Sequence, residues 1–137
     1  MRVPGWESRL SAAIDALRAR PYEYGVHDCF VLTCAVVHAL TGVDRWPEFA
    51  GKYTDRRSAL ATIAGYGATF EGAALRFFGC DAMHINQARR GDIAEVQING
   101  LSHLGVVMGA WVFLAGEFGL VEYPRDKAAR AWPVGDR

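Results

Sequence analysis

Cys29 and His103 carry side chains that could perform nucleophilic catalysis. A thiol attacking a carbonyl needs a base within hydrogen-bond reach, a polar group to orient that base, and donors for the oxyanion. Asp28-Cys29 stands where an extended run, Arg20 to His27, gives way to an apolar helix. A thiol at a helix start feels the partial positive charge of free backbone N–H groups, so the position predicts a cysteine whose ionisation is favoured. His103 opens the run His103-Leu104-Gly105-Val106-Val107-Met108-Gly109, which reads as a buried strand. Nucleophile and base would then sit on separate rigid elements, and the pair points to a cysteine hydrolase. The competing readings are a small hydrophobe packed at a helix start for Cys29 and a backbone-bonded strand-edge histidine for His103.

The elements that must position this pair can be read from periodicity. Trp6, Leu10, Ala13, Ile14 and Leu17 recur at helical spacing, so an amphipathic helix is expected from about Trp6 to Arg18, stopped by Pro21. A second helix, apolar nearly all round and therefore central, should begin at Asp28 as N-cap and end at Gly42. Thr54-Asp55 is expected to cap a third helix closed by Gly65, and Ala73 to Phe78 a fourth, ended by Gly79. From Gly91 the pattern changes to alternation, with a hairpin signal at Asn99-Gly100 and strands expected at Leu104 to Met108, Ala110 to Ala115, Leu120 to Tyr123 and Ala129 to Val134. Helices followed by an antiparallel sheet make an α+β domain.

Pro21-Tyr22-Glu23-Tyr24-Gly25, then Asp28-Cys29 opening a helix, then Arg90-Gly91-Asp92-Ile93 opening a strand, then His103 to Gly109, resembles the ordered signature of NlpC/P60 cysteine peptidases. The resemblance runs from Trp6 to Tyr123, and it is similar in particular to short NlpC/P60-like proteins encoded among the tail genes of bacteriophages and gene transfer agents. It implies a papain-like fold, with Cys29 as nucleophile, His103 as base, and Tyr22 and Asp28 on the substrate side. The family cleaves amide bonds in cell-wall peptides next to a D-glutamyl residue, so the implied substrate is a peptidoglycan stem peptide. The implied setting is a tail-tip (baseplate) protein made in the bacterial cytoplasm, partnered by tail hub and tail-tip proteins and acting at the host cell wall during DNA entry. Where the family has Ser-Gly after its cysteine this chain has Phe30-Val31, and the family's third polar position falls at Ala115. Glu117 is the nearby substitute and stands in as the orienting group. The alternative implied by these departures is a catalytically weak or inactive structural module that binds tail hub proteins.

Bulk properties set outer bounds. A chain of 137 residues with 51% hydrophobic content is expected to form one domain over residues 1–137. Fifteen basic and fifteen acidic residues cancel, so no global field favours nucleic acid or an anionic membrane surface. Three cysteines are too few for a disulfide framework and suit a reducing compartment. Met1 to Glu7 lacks a signal-peptide apolar region, and no window approaches the about 18 apolar residues of a spanning helix, so a soluble chain without membrane insertion is expected. Cys34 with His38, and Cys80 with His84, have the spacing of ligand pairs on one helical face, but no short Cys-Cys knuckle accompanies them, and neither metal nor cofactor is expected. Trp46 to Tyr53 reads as an aromatic segment that either walls a groove or packs as core, and Arg125, Lys127 and Arg130 as a solvated face.

Overall fold

A computed structural model of the chain describes residues 1–135. Four α-helices precede a five-stranded antiparallel sheet, the α+β arrangement expected from the sequence. Helix α1, Trp6–Leu17, buries Leu10, Ile14 and Leu17, and helix α2, Cys29–Thr41, buries Leu32, Val36 and Leu40 among others. Burial of a leucine or valine of this kind contributes about 1.5 to 3 kcal/mol, so the nearly all-apolar α2 is drawn to the centre of the molecule. Gly42 ends α2 with φ 76°, a left-handed conformation in which glycine has no Cβ penalty.

Helix α3, Arg56–Gly67, starts at a capping box in which Asp55 and Ser58 bond each other's backbone N–H groups. It runs past the expected stop at Gly65, and α4, Phe70–Phe78, begins earlier than expected because the Thr69 hydroxyl caps it by accepting from the Gly72 N–H. Among the described residues no helix is long and apolar enough to cross a membrane.

The strands are β1 Ile93–Ile98, β2 Leu101–Met108, β3 Trp111–Gly116, β4 Gly119–Pro124 and β5 Arg130–Trp132, in the order β4-β3-β2-β1-β5. Asn99 and Gly100 both have positive φ, 52° and 75°, which makes the β1–β2 connection the tight primed turn that Asn-Gly favours. That turn sets Leu101 directly opposite Ile98, so β2 starts before the expected Leu104. Ile93, Leu104 and Val106 share the face packed against α1 and α2, while Ala94, Val96, Val107, Val112 and Leu114 pack on the other with Ile85, Ala88 and Ala128.

Arg125 and Arg130 are not a solvated face. Arg130 ion-pairs with Glu95 and Glu71, and Arg125 donates to the carbonyls of Ile85 and Ala88.

One feature of the sheet positions the site. The β2–β3 ladder consists of Met108↔Trp111, Val107↔Val112 and Val106↔Phe113, whereas β3 continues with β4 as far as Gly116↔Gly119. The first half of β2 therefore parts from β3 at Gly105, where an added Cβ would lie 2.5 Å from Leu114 Cδ2 and 2.6 Å from the Phe113 carbonyl oxygen. The chain entering α2 is tied to the neighbouring hairpin by Leu120 N–H donating to Arg18 O at 3.0 Å and Tyr22 N–H donating to Glu117 O at 3.1 Å.

Candidate active site

Asp28 precedes α2 in an extended conformation and accepts four hydrogen bonds. Oδ1 takes the Phe30 and Val31 N–H groups at 2.8 and 2.9 Å, and Oδ2 takes the Gly25 N–H at 2.8 Å and the Tyr53 hydroxyl at 2.6 Å. With 1% of its surface exposed and every acceptor direction used inside the protein, Asp28 has nothing left for a ligand. Asp28 lies on the groove wall, as expected of a residue on the substrate side, and its hydrogen bonds make it the N-cap that fixes Cys29. Tyr53 belongs to the aromatic segment, in which Phe49 and Tyr53 are buried as core. Phe49 stacks on Phe30 with ring centroids 5.8 Å apart, and Tyr53 meets Phe30 edge-on at 5.7 Å. Phe30, the departure from the Ser-Gly pattern, is thus the residue that anchors this cluster.

Cys29 is half-buried, and its sulfur receives the main-chain N–H of Leu104 together with N–H groups at the helix start. Leu104 can donate there because β3 does not pair with this part of β2. These donors favour the thiolate, but burial, followed by the charge of Asp28, outweighs them and pushes the thiol up to about 12. The expected ionised cysteine is therefore corrected to a neutral thiol. The helix-start field that would favour the thiolate is opposed by the carboxylate that caps the same helix.

The consequence is measurable. Thiolate is scarcer by over three orders of magnitude at pH 7 than for a free thiol, partly offset by its greater intrinsic nucleophilicity, so iodoacetamide should modify Cys29 about a hundredfold more slowly than free cysteine. The rate should climb about tenfold per pH unit up to pH 10. Site-resolved mass spectrometry of alkylation follows this. A plateau below pH 8 contradicts the raised thiol.

Cys29, His103 and Tyr22 line one groove of about 380 Å³, with Arg56 and Ser102 on its walls. Burial, and then the Arg56 charge, lower the pKa of His103, so the imidazole is neutral at pH 7 and able to accept a proton. Burial, and then the neighbouring Cys29, raise Tyr22, whose hydroxyl therefore stays protonated as a donor. Its ring meets Tyr24 edge-on at 5.2 Å. Cys29, His103 and Tyr22 thus line the same groove, with Tyr22 close enough to Cys29 for the two to interact.

Glu117 does not line that groove. It is exposed in the β3–β4 turn, lies outside the groove wall, and engages the site segment only through its main-chain carbonyl. Ala115 pairs with Leu120 on β4, and among the described residues the His103 ring has no hydrogen-bond partner. The ionic group that His103 feels is a cation, Arg56, where a catalytic triad would have an acid. Arg56 and Tyr53 were missed from sequence because neither lies near Cys29 or His103 in the chain. The capping signal at Asp55 places Arg56 at a helix start but says nothing of which groove that helix faces.

His27, just before Asp28, is 1% exposed, and among the described residues neither ring nitrogen has a hydrogen-bond partner. Burial, followed by the Arg20 charge, lowers its pKa. Below an unfolded value of about 6.5 the unfolded chain takes up a proton that the folded chain refuses, so stability falls as pH falls from there toward the folded value. His103 acts with the same sign. His27→Phe keeps a ring and removes two unpaired buried nitrogens, so it should stabilise the protein by about 1 kcal/mol and flatten the loss of stability on acidification. Urea unfolding at pH 7 and at pH 5.5 checks both; a destabilised, equally pH-sensitive variant refutes the assignment.

Among the described residues no group of three or more His, Cys, Asp or Glu side chains is placed to hold a metal ion. Cys34 lies buried in α2, its thiol raised to about 12, chiefly by burial. No curated protein and no solved structure matches the chain. A family model does, over residues 1–134, and the chain belongs to the family it describes, the domain of unknown function DUF6950.

Proposed function

We propose that the protein is a cysteine hydrolase of NlpC/P60 type that cleaves amide bonds of peptidoglycan stem peptides. The observation that carries this is the meeting of three elements at one groove: the Cys29 thiol at the start of the central helix, the Leu104 N–H directed at its sulfur from the residue after His103, and Tyr22 beside both. Arg56 is a cation on the groove wall without an ionic partner among the described residues, and it suits a substrate that carries carboxylates, as stem peptides do.

In the proposed reaction His103 takes the thiol proton as sulfur attacks the amide carbon, with the Cys29 N–H, which Asp28 does not take, facing the developing oxyanion. The imidazolium returns that proton to the leaving amine, which frees the amine and leaves a thioester on Cys29. Water, deprotonated by His103, then attacks the thioester carbon, and the acid is released as sulfur regains a proton. The setting implied by resemblance is the tail tip of a phage or gene transfer agent, among hub proteins, where such cutting opens the cell wall during DNA entry. Incubation of purified protein with muropeptides, beside Cys29→Ala, tests the reaction. Release of new amines by the wild type alone supports it, and equal activity or none in either removes it.

The neutral thiol and the absence, among the described residues, of an acid acting on His103 favour a second reading, a structural module of the tail tip that keeps the fold and binds hub proteins. Under it muropeptides stay intact with either protein, and the assembled particle covers the groove.

A further inference from the structure

The groove is bounded on one side by a strand edge that no other strand covers among the described residues. The Val107 N–H donates to Asp92 O at 2.9 Å and the Val107 carbonyl accepts from the Gly91 N–H at 2.8 Å, so the Val107 main chain faces the β1 side. Main-chain direction alternates along an antiparallel strand, which turns Gly105 and His103 the same way and Val106, Leu104 and Ser102 toward the opposite edge. On that edge Val106 meets Phe113 of β3, and Leu104 N–H meets the Cys29 sulfur. The N–H and C=O of Ser102 come next, at the groove wall, beyond the last residue of β2 that β3 pairs with.

The Ser102 side chain does not occupy this edge. Its hydroxyl donates to Glu95 Oε2 at 2.5 Å and accepts from Gln97 Nε2 at 2.6 Å, and Glu95, 3% exposed, is held in turn by Arg130 Nε at 2.6 Å. A buried carboxylate with both oxygens bonded therefore anchors Ser102 on the helix side of the sheet and leaves its main chain open. On the same helix side Phe30, Ile63, Phe70 and Leu104 form a wall common to the groove and to an adjoining, almost wholly apolar cavity of about 40 Å³, here called the apolar branch.

From these two features we infer that the groove binds an extended peptide, which pairs with the Ser102 main chain as an added strand and directs a small alkyl side chain into the apolar branch. Unpaired strand edges recruit peptides through main-chain bonds, while alternate side chains enter pockets. A residue opposite Ser102 shares a face with Ser102 and Leu104, which is the face of the branch. At about 3.3 Å per residue, the carbonyl reached two positions along lies beside Leu104 and Cys29. The void admits a methyl or ethyl group and excludes an aromatic ring. The inference rests on the groove being the working site, as proposed above, and it adds that the ligand is recognised as peptide main chain rather than as any amide.

The test uses the full chain carrying Cys29→Ala, so that binding is read without turnover, with acetyl-trialanine amide as probe at millimolar concentration. Saturation should slow hydrogen exchange of the Ser102 amide by about tenfold or more. N-methylation of the probe should weaken binding about tenfold at one position and be tolerated at the next, the alternation that strand pairing requires. Replacing each alanine in turn by phenylalanine should abolish binding at the position facing the branch alone. Binding without protection of Ser102, uniform sensitivity to N-methylation, or no binding of the probe overturns the inference. An inert wild-type enzyme in the muropeptide assay would sink the hydrolase reading and leave these binding results standing.

Discussion

Muropeptide cleavage is expected to fall by about a thousandfold or more in Cys29→Ala and by a comparable factor in His103→Ala, because neither the nucleophile nor the base has a substitute in the groove. The pH profile should carry a further signature. With the thiol raised to about 12 and the imidazole lowered by burial and Arg56, the working pair is a neutral thiol and a neutral imidazole. Activity should therefore rise with pH along a single acid limb whose midpoint lies below the usual histidine value of about 6.5, then stay level through neutral and mildly alkaline pH. Arg56→Ala removes one of the two causes of the lowered imidazole, so its acid limb should move toward higher pH. Measurement of kcat/KM between pH 4.5 and 9 by amine release gives all of this, over a range chosen around the about 6.5 of free histidine. A second limb near neutrality would mean a thiolate–imidazolium pair instead. Undiminished cleavage by Cys29→Ala would exclude the mechanism altogether.

The elements were legible because their signals are local. Asp28 and Gly42 bracket α2, Asp55 and Ser58 start α3, and Asn99-Gly100 makes the β1–β2 turn, each through chemistry confined to a few neighbouring residues. What failed was inference by offset along the chain. Counting forward from His103 to a third polar residue assumes that β3 returns beside β2. Here β3 leaves β2 at Val106, so Ala115 faces Leu120 of β4 and Glu117 lies in the turn beyond. The charge state of Cys29 was misread for a related reason. The helix-start argument counts donors that the sequence shows, but not the burial of the sulfur, and it credits Asp28 only as a cap when its charge also acts on the thiol. The Tyr53 hydroxyl on Asp28 and the Arg56 charge on His103 arise from tertiary packing and leave no mark in spacing.

Asp28 joins stability to reactivity, and the two should move in opposite directions when it is changed. Removing the side chain strips acceptors from the Phe30, Val31 and Gly25 N–H groups and from the Tyr53 hydroxyl, in a site with 1% exposure. Loss of a buried hydrogen-bonded charge that serves several donors costs about 3 to 5 kcal/mol, so Asp28→Ala should unfold at far lower urea concentration. Asp28→Asn keeps the capping oxygen but presents an N–H group where Gly25 and Tyr53 donate, and should cost about 2 kcal/mol. Adding Tyr53→Phe to it removes one of the clashing donors, so the double variant should be less destabilised than the sum of the two singles. The folded Asp28→Asn protein also lacks the charge that, after burial, holds the Cys29 thiol up. Its Cys29 should therefore react with iodoacetamide faster than in the wild type at pH 8, although the protein is less stable. That comparison must be made well below the unfolding midpoint, with Cys34 alkylation as the reporter of opening, since Cys34 is buried in α2. Faster labelling of Cys29 with Cys34 still protected locates the effect in the charge of Asp28. Parallel acceleration of both thiols would instead mean that the helix start had simply come loose.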